Sequence, residues 1–326
     1  MPRVLLVFLD GVGLGTDEPD ANPFLQAHLP TISGLLGGAP PTLSAVRSEG
    51  TSGDGTADHA PHPDEDPFGD RGSSAPAGER GELRTHLVPM DACLGVDGLP
   101  QSGTGQIALL TGRNAPRLFG GHFGPWPPVR LRGILERENL LRRAVERGHQ
   151  VAFANAYPAG YPEGRSPRRV AAPVLAARAA GALTRHAEAL ERGDAVASEI
   201  VNEGWRRHLR LPDIPPVEPR QAGRNLARIA TGARLTLFAH YLTDTAGHRG
   251  GMSGAVEALE RVDAFLSGVL DQLPPDLLLV VASDHGNVED VRAEHTRNPA
   301  LGLVLGRGAV RFVRRLAYRR PVCSEC

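Results

Sequence analysis

Three apolar runs, Val4–Leu9, Leu235–Leu242 and Leu277–Ala282, each lead into an aspartate within two positions: Asp10, Asp244 and Asp284. A short run that is apolar on both faces predicts a strand buried in a parallel sheet, and Gly11-Val12-Gly13-Leu14-Gly15 marks the turn at the C-terminal end of the first one. In an open α/β sheet that end is where ligands bind. Strand and helix patterns alternate near both ends of the chain, with a helical block between them. This predicts an α/β core, its mainly parallel sheet flanked by helices, carrying an inserted smaller cap domain. The expected core covers residues 1–118 and 235–326, and the expected cap 119–234. Within the core, 37–82 turns to Gly, Pro, Ser, Asp and Glu. Such a stretch buries too little apolar surface to offset its ordering entropy and reads as a disordered insertion, with His59 and His62 as solvated residues of an acidic loop.

Composition narrows the function. The 326 residues are 41% hydrophobic, enough for a substantial core, and the formal net charge of −1 gives no field that would gather nucleic acid or an anionic membrane. Every one of the 36 basic residues is an arginine, so lysine chemistry is excluded. No apolar run approaches the ~20 residues that span a bilayer, and no secretory start is evident, so a cytoplasmic protein is expected. Three cysteines make no disulfide framework, and Cys323-Ser324-Glu325-Cys326 reads as a frayed tail.

Two of the strand-end aspartates are followed closely by histidine, giving Asp244…His248 and Asp284-His285, and His295 stands in the next loop. Taken singly, Asp10 reads equally as a helix cap or turn former, and Asp284-His285-Gly286 as an exposed turn. Taken together they point to metal. Carboxylates crowded at neighbouring strand ends repel unless a cation joins them, and mixed imidazole and carboxylate donors suit manganese, zinc or iron better than calcium or magnesium.

Asp10-Gly11-Val12-Gly13, Thr243-Asp244-Thr245-Ala246-Gly247-His248, Ser283-Asp284-His285-Gly286-Asn287 and His295-Thr296-Arg297-Asn298-Pro299 resemble the metal-binding motifs of the alkaline phosphatase superfamily. The resemblance is to its metalloenzyme branch, with cofactor-independent phosphoglycerate mutase and phosphopentomutase. It implies an alkaline-phosphatase-like core and two divalent ions, Mn2+ or Zn2+. Asp244, His248 and His295 would hold one; Asp10, Asp284, His285 and a hydroxyl nucleophile would hold the other. Gln101-Ser102-Gly103-Thr104-Gly105-Gln106 lies where that family carries its nucleophile, and Gly112-Arg113 comes after it at the family's spacing, which selects Ser102 over Thr104 and makes Arg113 a candidate substrate ligand. Gln101 and Gln106 depart from the family's asparagine and histidine, and an amide cannot supply a proton as imidazole does.

The implied chemistry is transfer of a phosphoryl group from a small phosphorylated metabolite to Ser102 and then to an acceptor. Water as acceptor makes the protein a phosphatase, a hydrolase; a substrate hydroxyl makes it a phosphomutase, an isomerase. The bacterial glycerate mutases use an active-site lysine this chain lacks and a phosphate-transfer domain much longer than 119–234, which sets that assignment aside; phosphatase is preferred over an unassigned phosphomutase. Besides Arg113, the arginines Arg130, Arg132, Arg165, Arg168 and Arg169 are candidates for the phosphate. Three rivals stand beside this reading: a sulfatase, which needs a Pro and Arg pattern after its nucleophile; a non-catalytic metal-binding homologue; and a metal-free carboxylate pair acting as acid and base.

Overall fold

The computed structural model describes residues 2–46, 84–163 and 169–318. Six strands, β1 (Arg3–Leu9), β2 (His86–Leu87), β3 (Val151–Phe153), β4 (Leu235–His240), β5 (Leu277–Ser283) and β6 (Gly302–Gly306), form one sheet in the order β2-β6-β5-β1-β4-β3. β1 is parallel to β4 and β5, and β3 is parallel to β4, while β6 runs antiparallel to β5 and β2. The expected α/β class, with a mainly parallel sheet flanked by helices, is the one observed.

Strand periodicity of two sorts the core onto both faces. Leu5, Val7 and Leu9 point with Phe238, Leu279 and Val281 into one apolar layer, and Leu6 and Phe8 point with Leu237, Ala239 and Ala282 into the other. The first layer is covered by α2 (Pro219–Thr231) and α4 (Gly251–Asp271), where Phe265 meets Phe238 with ring centroids 5.0 Å apart. The second is covered by α1 (Ser102–Thr111) through Ile107 and Leu110. Each fully buried Leu or Phe contributes roughly 1.5–3 kcal/mol relative to exposure, so the central strands are fixed in register. That register pairs Leu9 with His240 and with Ser283. Asp10, Asp244 and Asp284 therefore leave the sheet at one edge, Asp244 on the short helix α3 (Leu242–Arg249).

Two expectations need correction. Val151–Phe153, assigned to the cap, is the sheet's edge strand, and Leu131, Leu135, Leu141 and Phe153 share a cluster with Leu6 and Phe8. A three-residue apolar strand gives no periodic signal that would attach it to the core. Asn155 extends the pairing through its side chain, which donates to Ala239 O at 2.7 Å and accepts from Ala239 N at 2.8 Å. A separate small cluster of Ala156, Leu190, Ala197, Trp205 and Ile214 lies beyond it. Secondly, residues 37–46 are packed rather than disordered: Leu43 N–H donates to Gly15 O at 3.0 Å, and Thr42 and Ala45 are buried. The rest of the expected insertion, with His59 and His62, and the Cys323 and Cys326 tail lie outside the described residues. Among the described residues no helix is long and apolar enough to cross a membrane.

His240, last residue of β4, is wholly buried with Nδ1 2.8 Å from Ser198 O, and Nε2 has no partner. Burial lowers its pKa to about 4; the Ser198 carbonyl opposes that shift and the Arg261 cation adds to it. The folded-state value lies below the unfolded ~6.5, so this group's stability is present above pH ~6.5 and lost as pH falls through about 4, by roughly 3 kcal/mol. The melting temperature is expected to fall across that window, and less steeply in His240→Gln. An equal slope in the two proteins would refute the assignment.

Candidate metal centre

Asp10, Asp284 and His285 bring one ligand atom each to within 4.8 Å of one another, and so do Asp244, His248 and His295. The first triad is buried. His285 Nε2 lies 3.4 Å from Asp10 Oδ1 and 3.6 Å from Asp284 Oδ2. In the second, Asp244 Oδ1 lies 3.5 Å from His248 Nε2 and 3.8 Å from His295 Nε2, and the two imidazole nitrogens are 3.2 Å apart. The triads are neighbours: the His285 and His295 rings stack at 4.2 Å between centroids. Gly11, at φ +66°, passes so near Asp244 that a Cβ there would lie 2.6 Å from its Oδ1, which is why only glycine suits the position.

Each donor is aimed by a partner. Gln106 Nε2 donates to Asp10 Oδ2 at 3.1 Å, so the departure from histidine retains a hydrogen bond to the carboxylate. Asn287 Nδ2 donates to Asp244 Oδ1 at 2.7 Å. His295 Nδ1 lies 2.7 Å from Pro100 O, which fixes the N–H there and leaves Nε2 facing Asp244. Glu289, 1% exposed, accepts from Gly13 N at 2.9 Å and Asn287 N at 2.7 Å and from the Thr296 hydroxyl, tying the His295 loop to the β1 turn. Thr243 Oγ1 donates to Asp10 O at 2.6 Å, and Ser283 Oγ accepts from Val12 N at 2.9 Å. Sequence reasoning gave Thr243, Ser283, Asn287 and Glu289 no role, since the partner each finds across the fold is a tertiary contact that no local pattern reveals.

The donor set fits divalent cations. Asp10 Oδ1 and Asp284 Oδ2 are buried without a hydrogen-bond partner. Burial, and beyond it the neighbouring carboxylates, pushes the pKa of Asp284 well above its ordinary value; burial raises Asp10 likewise, though His285 opposes this. Burial alone would lower His285, but Asp284 and Asp10 outweigh it and hold the imidazole at about 10, so a proton supplies the counter-charge in the metal-free chain. Burial and the charge of His285 bring His295 down to about 4, a neutral ring with a lone pair to offer.

Ser102 begins α1, 4% exposed, with Oγ 2.9 Å from His285 Nε2. It shares a cleft of about 660 Å³ with Asp244, His248 and His295, whose walls also include Leu99, Trp126 and Arg249. Thr104, the alternative nucleophile, is instead engaged with the backbone of Phe123, which donates to its Oγ1 at 3.2 Å. Arg113 is not brought to Ser102. It lies beyond the opposite end of the ten-residue α1, roughly 15 Å away at 1.5 Å per residue, and pairs with Glu138 at 2.6 Å. Arg130 stacks over Phe119 and Arg132 donates to Pro127 O, while Arg165 and Arg168 lie outside the described residues. The arginine lining the Ser102 cleft is Arg249, next to His248, with no carboxylate partner among the described residues.

Residues 228–316, which carry Asp244, His248, Asp284, His285 and His295, match the model of the Metalloenzyme superfamily. The match covers 89 of the chain's 326 residues. Among solved structures, the chain is similar to the PH0037 protein from Pyrococcus horikoshii, with TM-score 0.43 and 13% identity over 94% of this chain and 86% of that one. It is also similar to an alkaline phosphatase from the Antarctic bacterium TAB5, with TM-score 0.42 and 10% identity over 95% and 93% of the two chains. For phosphonoacetate hydrolase from Sinorhizobium meliloti 1021 the TM-score is 0.34 and the identity 16%, over 87% of this chain and 57% of the hydrolase. No curated protein matches the chain. The family match and the two triads together support divalent-metal binding.

Proposed function

We propose that the protein is a two-metal phosphatase that cleaves a small phosphate monoester through a phosphoserine at Ser102. The observation that carries this reading is the Ser102 hydroxyl, 2.9 Å from His285 Nε2, in one cleft with the second triad. Asp10, Asp284 and His285 would hold one divalent ion and Asp244, His248 and His295 the other, Mn2+ or Zn2+ by donor chemistry. Such ions, when bound, lower the pKa of a coordinated hydroxyl and stabilise the entering and leaving oxygens of an in-line displacement.

The protein's own groups supply the rest. The N-terminus of α1 places the positive end of its dipole at Ser102, favouring the alkoxide. Gln106 and Asn287 hold Asp10 and Asp244 with fixed oxygens toward the donors facing them. Arg249 offers a guanidinium fork to the non-bridging phosphate oxygens, which no lysine in this chain could do. Water as final acceptor is supported by the exposure of the cleft: Leu99 is 47% and Trp126 37% exposed, and Thr245 and Arg249 are exposed too. A mutase must instead keep water from its phosphoenzyme.

The test is turnover of p-nitrophenyl phosphate and a panel of phosphorylated metabolites by the manganese- or zinc-loaded protein. Release of inorganic phosphate and a phosphorylated Ser102 in the quenched enzyme are expected. An isomeric phosphate ester without inorganic phosphate would identify a mutase, and no turnover of any phosphoester at full metal loading would leave a binding protein.

A further inference from the structure

Leu99, Pro125 and Trp126 form an apolar wall of the cleft that contains Ser102. An exposed tryptophan needs a reason, because burying such a ring is strongly favourable. Trp126 is not on a loose loop. Its segment is fastened across the first turn of α1: Thr104 N–H donates to Phe123 O at 2.9 Å, and Phe123 N–H returns a bond to Thr104 Oγ1 at 3.2 Å. The carbonyls of Phe123 and Trp126 press so closely on Gly103 that any Cβ there would collide with them. The residue after the candidate nucleophile is therefore the one that the Trp126 segment is built against, and Trp126, 37% exposed, lines the same cleft as Ser102.

We propose that Trp126, with Leu99 and Pro125, is the leaving-group subsite, and that the substrate is a phosphate monoester whose alcohol portion carries a planar aromatic ring. This rests on the phosphatase reading of Ser102. A cleft of about 660 Å³ holds a phosphoryl group and a ring together, and a flat face beside a pre-positioned indole gains offset stacking that an aliphatic chain does not. In the reaction a bond forms between Ser102 Oγ and phosphorus, the hydroxyl proton passing to solvent, while the bond from phosphorus to the ester oxygen breaks, and that oxygen departs with the electron pair and takes up a proton from solvent. One water then displaces Ser102 Oγ from phosphorus and a proton returns to the serine, so the sum is ester plus water giving the aromatic alcohol and inorganic phosphate. The anionic end lies toward Arg249 and the triads, and the ring toward Trp126.

The test uses the metal-loaded protein with phenylphosphonate and methylphosphonate, inert ligands that share the anionic head and differ in the ring. Phenylphosphonate is expected to inhibit about tenfold more tightly, in line with a stacking contribution. Trp126→Ala abolishes that preference without altering inhibition by methylphosphonate, and Trp126→Phe keeps most of it. Tryptophan fluorescence supplies a readout independent of turnover, because the other indole, Trp205, is buried; phenylphosphonate is expected to quench wild type but not Trp126→Ala. Turnover of phenyl phosphate beside a nucleoside 5′-monophosphate tells a ring bonded directly to the ester oxygen from one carried on a sugar. Equal inhibition of wild type by the two phosphonates, or a preference surviving in Trp126→Ala, overturns the subsite and leaves the phosphatase reading intact. Failure of both phosphonates to bind overturns the two together.

Discussion

Ser102→Ala is expected to abolish phosphoester turnover, by on the order of 10³-fold or more, while binding metal and folding as the wild type does. Removing a covalent nucleophile eliminates the pathway rather than weakening one contact, and the residual rate is the stabilisation supplied by the surrounding site. The substitution is structurally mild. Ser102 opens α1, where alanine is a good helix former, and its hydroxyl makes a hydrogen bond to His285 rather than a cap. Unchanged metal stoichiometry and an unchanged circular dichroism spectrum would therefore accompany the loss. Thr104→Ala provides the contrast: it removes the bond from Phe123 N–H, so it should loosen the Trp126 segment but leave a phosphorylated Ser102 detectable. If Ser102→Ala turned over at the wild-type rate, the nucleophile would have to be sought elsewhere in the cleft.

The strands and their aspartates were legible because a buried parallel strand is a local pattern: a continuous apolar run closed by a turn, with the ligand-bearing residue just beyond. Asp10, Asp244 and Asp284 needed only the sheet register to bring them to one edge, and His248 and His285 came with them on short offsets. Arg113 failed for a related reason. Spacing along a chain gives distance but not direction, and the ten residues of α1 carry Arg113 away from Ser102 at the helix start. Arg249 was missed although it adjoins His248, because its value depends on lacking a carboxylate partner and lining the cleft, both of which are tertiary facts. Glu289 was invisible on the same grounds. Its carboxylate gathers Gly13, Asn287 and Thr296 from two loops, and nothing in the local sequence distinguishes it from a solvated acid.

Asp284→Asn is expected to stabilise the metal-free protein and yet to weaken metal binding more than about 100-fold. In the metal-free chain the Asp284 and Asp10 carboxylates are both buried, each with an oxygen lacking a hydrogen-bond partner, and only His285 lies between them as a counter-charge. Burial and then the charge of Asp10 raise the folded-state pKa of Asp284 far above its ordinary value. The sign comes from linkage. A group with a raised folded-state value stabilises fully below its unfolded pKa, near 3.8, and that contribution is lost as pH rises through the folded-state value. At pH 8, far above the unfolded value, the buried acid is therefore a liability that a neutral amide of the same shape removes, by roughly 1–3 kcal/mol. Divalent ions reverse the balance, because they bind the deprotonated carboxylates and stabilise the folded state in proportion to the logarithm of their concentration over the dissociation constant. Melting curves at pH 8 with and without saturating manganese or zinc provide the measurement. Wild type should gain many degrees from metal, and the variant should start higher and gain almost nothing. A variant that melts below wild type in the presence of chelator would show that the two acids are not held against their own repulsion, and the fit of this site to a cation would lose its energetic basis.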